Sequence, residues 1–182
     1  MNFFRQPPAW SPLSLAALWT GFRAAWLTDG SHARRSLEAA LRSAYDPEAL
    51  YLTDSGTSAL TLALQVAWNV TRAPVALPAY CCFDVATAAD GAGVPFLLYD
   101  VDPATLSPEL ASLRRALEAG ARSLVVAHLF GVPANVAAVQ PLADEFGALL
   151  IEDAAQGSGC EWRSRPAGAH GALGVLSFGR GK

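Results

Sequence analysis

After residue 50 the chain alternates between short apolar runs and longer segments with an apolar residue at every third or fourth position. The short runs, Val75–Leu77, Phe96–Tyr99, Leu124–Ala127, Leu149–Ile151 and Leu173–Phe178, read as strands. Between them, Gly56–Trp68, Asp84–Gly91, Pro108–Ala119 and Asn135–Phe146 have the length and periodicity of helices. Strands separated by helix-length segments imply crossover connections. The pattern therefore predicts an α/β fold, a mostly parallel sheet flanked by helices. Continuous runs such as Ala148-Leu149-Leu150-Ile151 suit strands covered on both faces.

The first 50 residues read differently. From Ser11 to Leu27, Leu13, Leu15, Ala16, Leu18, Phe22 and Trp26 recur at helical spacing, with Ser11 placed to cap and Pro12 at the first position. A second helix is expected over Ser31–Ser43 after the Asp29-Gly30 break, and Pro47 marks a turn before Ala49-Leu50-Tyr51-Leu52. The division this suggests is an N-terminal helical segment, 1–48, ahead of an α/β region, 49–182.

Composition narrows the class. Of 182 residues, 52% are hydrophobic and 16% charged, against roughly 25% charged in ordinary soluble domains. A chain this apolar buries enough surface to offset the entropy of ordering, which excludes disorder. The net charge of −3 and the absence of basic clusters beyond Arg34-Arg35 and Arg114-Arg115 argue against a nucleic-acid partner. Three cysteines, two of them adjacent (Cys81, Cys82), form no disulfide framework and suit a reducing compartment. The uncharged stretch from Gln6 to Phe22 is interrupted by prolines and is short for a span of roughly 20 residues. It also lacks the form of a signal peptide. The expectation is a soluble, cytoplasmic protein without a membrane partner.

In open parallel sheets ligands bind beyond the carboxyl ends of the strands, so the residues following each strand are the place to look for chemistry. Ser55-Gly56-Thr57-Ser58 precedes a long apolar helix. It either gathers N–H groups and hydroxyls around an anion such as a phosphate, or is an ordinary cap by Ser55 or Thr57. Asp153 ends the run Leu149-Leu150-Ile151-Glu152-Asp153. It can hold a cation or orient a base, or serve as a helix cap or surface ion pair, and Gln156 either shares that site or completes a capping box. Ser177 leaves the last strand, and Lys182 follows five residues on in a glycine-containing loop. A lysine there can form a Schiff base with a bound electrophile, or is simply a solvated charge. No Gly-x-Gly-x-x-Gly follows the first strand, which disfavours a dinucleotide-binding module.

Taken together and in this order, these pieces resemble the pyridoxal-phosphate sugar aminotransferases of the DegT/DnrJ/EryC1/StrS family. The similarity runs from about Tyr51 to Lys182. It rests on Ser-Gly-Thr-Ser-Ala-Leu at 55–60, Leu-Pro-Ala-Tyr at 77–80, Val-Pro-Phe-Leu-Leu-Tyr-Asp-Val-Asp-Pro-Ala-Thr-Leu at 94–106, His-Leu-Phe-Gly-Val-Pro-Ala at 128–134, Ile-Glu-Asp-Ala-Ala-Gln at 151–156, and Ser-Phe followed by lysine at 177–182.

The resemblance implies the large domain of fold type I transferases. Its cofactor is pyridoxal 5'-phosphate, and its reaction moves an amino group from glutamate or glutamine to a nucleotide-linked keto sugar. Gly56, Thr57 and Ser58 would bind the cofactor phosphate, with a further hydrogen bond from Ser177. Asp153 would accept the pyridine N–H, Gln156 would lie near the ring hydroxyl, and Lys182 would be the Schiff-base lysine and then the general base. His128 falls in a family motif but reads as a satisfied loop histidine.

The chain departs from the family in several places. The family usually sets an aromatic residue over the cofactor ring just after the Pro-x-x segment, where this chain reads Tyr80-Cys81-Cys82-Phe83-Asp84. Asn135 stands where an acidic residue is common. Family members continue for a comparable length past the lysine, adding a small domain, and work as homodimers. The expectation is thus an N-terminal part whose gene continues, with its apolar excess destined for the remainder and a dimer interface and with poor solubility alone. The competing reading is a non-catalytic fragment or pseudoenzyme that keeps part of the cofactor cup. Dehydratase relatives replace the lysine, commonly with histidine, so Lys182 points to transamination for surface polysaccharide or secondary metabolite biosynthesis.

Overall fold

The computed structural model describes residues 14–27 and 30–178. Two compact units divide between Leu50 and Tyr51. The first carries α1 (Leu15–Leu27) and α2 (Ser31–Tyr45). The proposed cap at Ser11 and the Pro12 position lie outside the described residues, while α2 runs two residues beyond the expected Ser43. Leu15, Trp19, Phe22 and Trp26 of α1 are all exposed, with Trp19 stacked on Phe22.

The second unit, Tyr51–Phe178, is the predicted α/β layer. Its elements are α3 (Gly56–Thr71), β1 (Val75–Pro78), α4 (Phe83–Ala92), β2 (Phe96–Tyr99), α5 (Leu110–Glu118), β3 (Ser123–Ala127), a 3-10 turn (Leu129–Gly131), α6 (Val136–Glu145), β4 (Leu149–Asp153), the two-residue strands β5 (Glu161–Trp162) and β6 (Arg165–Pro166), and β7 (Leu173–Val175). Five strands form one sheet in the order β2-β1-β3-β4-β7, and every pairing in it is parallel.

The central strands β1, β3 and β4 each feed two cores, because successive side chains point to opposite faces. Ala76, Leu124, Val126 and Leu150 pack with α5 and α6. Val75, Leu77, Val125, Ile151 and Val175 pack with α3 and α4. The helices start where polar side chains satisfy the first N–H groups: Ser55 for α3, Glu109 for α5 and Asn135 for α6. Gly93, at φ 65°, ends α4 in the left-handed region.

Two expectations are corrected. The last strand stops at Val175, so Leu176–Phe178 lies beyond the sheet. The antiparallel pair β5–β6 was not anticipated, since two-residue strands carry no periodicity to detect. Residues 166–171 then pass so close to β7 that a Cβ on Gly174 would overlap the backbone carbonyl of Gly168. Gly174→Ala is therefore expected to destabilise the unit by about 1–3 kcal/mol, read as a lower urea midpoint at unchanged slope. An unchanged midpoint would show that this loop yields freely.

Candidate active site

The first wall of the site is the start of α3. Ser55 is extended (φ −154°, ψ 161°), and its Oγ accepts the Ser58 N–H at 3.0 Å. The helix geometry leaves the N–H groups of Gly56 and Thr57 without an intrahelical acceptor, beside the positive end of the helix dipole. Of the two readings of Ser55–Ser58, the cap is observed at Ser55, and the turn it caps also presents N–H donors. Asp54 sits on the rim, its carboxyl held below the ordinary value chiefly by the Ser58 hydroxyl.

Ser177 closes against this turn. A Cβ added to Gly56 would stand 3.1 Å from Ser177 Cβ and 3.2 Å from its Oγ, so a side chain there would push the helix start and the segment after β7 apart by a few tenths of an ångström. The approach is fixed from behind: the Ala154 N–H donates to Val175 O at 2.9 Å, and Ser158 Oγ donates to Ala154 O and Ser177 O.

Asp153 ends β4 on the same face. It follows Ile151 by two positions, and Ile151 belongs to the α3 side of the sheet. The carboxylate is half-buried, and its Oδ1 accepts the Ala155 N–H at 3.0 Å, which organises a turn rather than capping a helix. From β1, Cys81 packs against the same core. Burial, followed by the charge of Asp153 and then by Cys82, pushes its thiol above the ordinary value.

On the opposite face lies a group that sequence reasoning did not single out. Glu152 is 0% exposed, yet its carboxylate accepts four hydrogen bonds. His128 Nε2–H (2.9 Å) and Gly168 N–H (3.1 Å) donate to Oε2, while the N–H groups of His170 and Gly171 donate to Oε1. His128 Nδ1 accepts the Ala134 N–H at 3.0 Å, which fixes the ring's proton on Nε2. Burial opposes ionisation of Glu152, but the bonds from His128, Gly171 and Gly168 outweigh it and hold the carboxyl below its ordinary value. The available signal was a charged residue inside an otherwise apolar strand, which requires buried partners. His128 is the satisfied histidine expected, although it is fully buried.

Gln156 makes no capping box. Its Oε1 accepts the Phe130 N–H at 2.8 Å and so braces the 3-10 turn, where Phe130 adopts φ 56°. The structure thus brings Gly56, Thr57, Ser58 and Ser177 to one point and puts Asp153 on the same face. Gln156 turns toward the 3-10 turn, and Lys182 lies outside the described residues. N–H and hydroxyl donors at one end and a carboxylate at the other suit a planar ligand with an anionic group and a protonated ring nitrogen.

The model of the DegT/DnrJ/EryC1/StrS aminotransferase family matches residues 14–182. The chain belongs to that family. Members of the DegT/DnrJ/EryC1/StrS family use pyridoxal 5'-phosphate. L-glutamine:scyllo-inosose aminotransferase of Streptomyces griseus is 35% identical over 124 residues, which are 68% of this chain and 29% of that protein. The dTDP-4-dehydro-2,3,6-trideoxy-D-glucose 4-aminotransferase of Saccharopolyspora spinosa is 32% identical over 158 residues, 86% of this chain and 41% of that one. The solved structure of AtS13 from Actinomadura melliaura superposes with a TM-score of 0.78 at 29% identity, covering 94% of this chain and 48% of its own. The chain thus spans less than half the length of each of these relatives. The fold is that of the fold type I pyridoxal-phosphate-dependent transferases. Among the described residues no helix is long and apolar enough to cross a membrane.

Proposed function

We propose that this chain carries the cofactor-binding part of an aminotransferase that moves an amino group from glutamate or glutamine to a nucleotide-linked keto sugar. The observation that carries the reading is the contact of Gly56 with Ser177, at 3.1–3.2 Å for an added Cβ, with the Asp153 carboxylate on the same face of the sheet. Residues 49–182 form the cofactor-binding region and residues 1–48 a helical segment ahead of it. The dTDP-keto-sugar relative, whose match covers 86% of the chain, supports the substrate class. Homodimerisation and a cytoplasmic location are part of the same reading.

When bound, pyridoxal 5'-phosphate supplies an electron sink for negative charge developing on the substrate carbon. The N–H groups of Gly56 and Thr57 and the hydroxyls of Ser58 and Ser177 would hold the phosphate at the positive end of α3. Asp153 would keep a proton on the pyridine nitrogen, as an adjacent carboxylate favours the charged form. Gln156, whose Oε1 accepts the Phe130 N–H, would reach the ring hydroxyl only through its amide nitrogen. Lys182 would hold the cofactor through its amine and, with that amine free, would serve as the general base for proton transfer between the two carbons. A lysine at 182, where the dehydratase relatives commonly have histidine, favours transamination over the dehydratase alternative.

Borohydride reduction of the protein with pyridoxal phosphate, followed by peptide mapping, is expected to put the pyridoxyl mass on Lys182 and to leave Lys182→Ala unlabelled. Absence of both a visible cofactor band and an adduct would leave the non-catalytic reading standing.

A further inference from the structure

The cofactor cup described so far draws its groups from α3, β4 and the segment after β7. The carboxyl end of β1 also reaches it, because β1 and β4 are the two neighbours of β3. From Pro78 the chain runs through Ala79, Tyr80, Cys81 and Cys82 into α4, with Cys82 as the residue ahead of the first helical turn. Cys81 packs against the core that contains Leu77, Ile151 and Val175, and therefore lies on the face where Asp153 and Ser177 emerge. Its Sγ donates to Pro78 O at 3.4 Å, folding the thiol back over the strand end. Cys82 Sγ approaches Asp84 Oδ2 at 3.5 Å. The aromatic neighbours do not share this placement: Tyr80 is 58% and Phe83 81% exposed. Asp153 and Cys82 are the charged and titratable groups that act on the Cys81 thiol besides burial.

We propose that the Cys81–Cys82 pair forms the β1-side wall of the cofactor site, so that thiols rather than an aromatic ring meet the bound cofactor. The inference rests on the proposed cofactor reading and deepens it. Both cysteines are half-buried and within reach of solvent, while sulfur is small and polarizable enough to contact a π-system at its face or edge. A site walled in this way holds its cofactor against two nucleophilic groups and is open to soft electrophiles whenever the cofactor leaves.

The test is alkylation by iodoacetamide, resolved by peptide mapping, with and without pyridoxal phosphate and with cofactor occupancy followed by its visible band. Cys160, whose Sγ donates to Gly131 O at 3.0 Å, is the internal control. With cofactor at ten times its dissociation constant, alkylation of Cys81 and Cys82 is expected to slow about tenfold, with Cys160 unchanged. Cys81→Ala is expected to weaken cofactor binding about two- to tenfold without lowering the urea midpoint by more than a small core truncation would. Bound cofactor with undiminished alkylation of the pair overturns the proposal and leaves the cofactor reading intact. Failure to bind cofactor at all removes both.

Discussion

Replacing Glu152 by glutamine is expected to lower the stability of the sheet unit by about 3–5 kcal/mol, the range for breaking a buried ionic hydrogen-bond cluster by changing one partner. The carboxylate is fully buried and receives four donors, two on each oxygen. A glutamine keeps one acceptor oxygen and turns an NH2 group toward the other two donors, leaving them desolvated and unpaired. The loss falls on the loop at 168–171 and on His128 together, since Glu152 is what they share. Urea denaturation reads the total. Faster amide exchange at Gly168 and Gly171 than in the rest of the sheet would place it. A midpoint within about 0.5 kcal/mol of the original would mean that the cluster is not the tie described.

The same group sets a pH dependence. Its folded-state carboxyl is held below the ordinary 4.5, so its contribution is complete above that value and is lost as pH falls through the lower folded one. The gap in stability between the original chain and Glu152→Gln should therefore be constant near neutrality and close on acidification below pH 4.5. A gap that widens on acidification would reverse the sign of the linkage.

Asp153→Asn should do the opposite: little to stability, much to chemistry. Asparagine retains an Oδ1 to accept the Ala155 N–H, and the side chain is only half-buried, so the urea midpoint is expected to move by less than about 1 kcal/mol. An amide carries no charge to hold a proton on the pyridine nitrogen. The rate at which an added amino donor bleaches the cofactor band is expected to fall by about 10²–10³-fold, the cost of removing one preorganised electrostatic partner. Cofactor that stays bound and reacts at the original rate would place the ring nitrogen elsewhere. Adjacent residues on one strand would thus divide cleanly between folding and function.

The sheet was legible because its strands are apolar on both faces and regularly spaced. Phe96–Tyr99 keeps its expected bounds, and Val75–Leu77, Leu124–Ala127 and Leu149–Ile151 grow by one or two residues. Asp153 was legible as a polar residue closing such a strand. No strand precedes the Ser-Gly-Thr-Ser turn among the described residues, where α2 leads directly to α3, but the turn was legible as the start of an apolar helix. Other features were not. Glu152 looked like a companion of Asp153, although a period of two sends it to the far face to meet donors from residues 128 and 168–171. Gln156 was read either as sharing the Asp153 site or as completing a capping box; in place of the box, its Oε1 accepts a backbone N–H 26 positions away. Contacts of that range leave no mark on local periodicity. Lys182, the proposed Schiff-base residue, lies outside the described residues, and its role rests on the motif.

The neighbouring carboxylates of β4 also solve a problem of alignment. Leu149, Leu150 and Ile151 are apolar in succession, so hydrophobicity alone would accept the strand displaced by one residue against Ser123–Ala127 of β3. Such a slip would exchange the last two side chains, sending Asp153 into a nest of N–H donors shaped for a longer acid and Glu152 into the cup. The four-donor nest tells the two registers apart, and in doing so it decides which carboxylate emerges on the α3 side of the sheet.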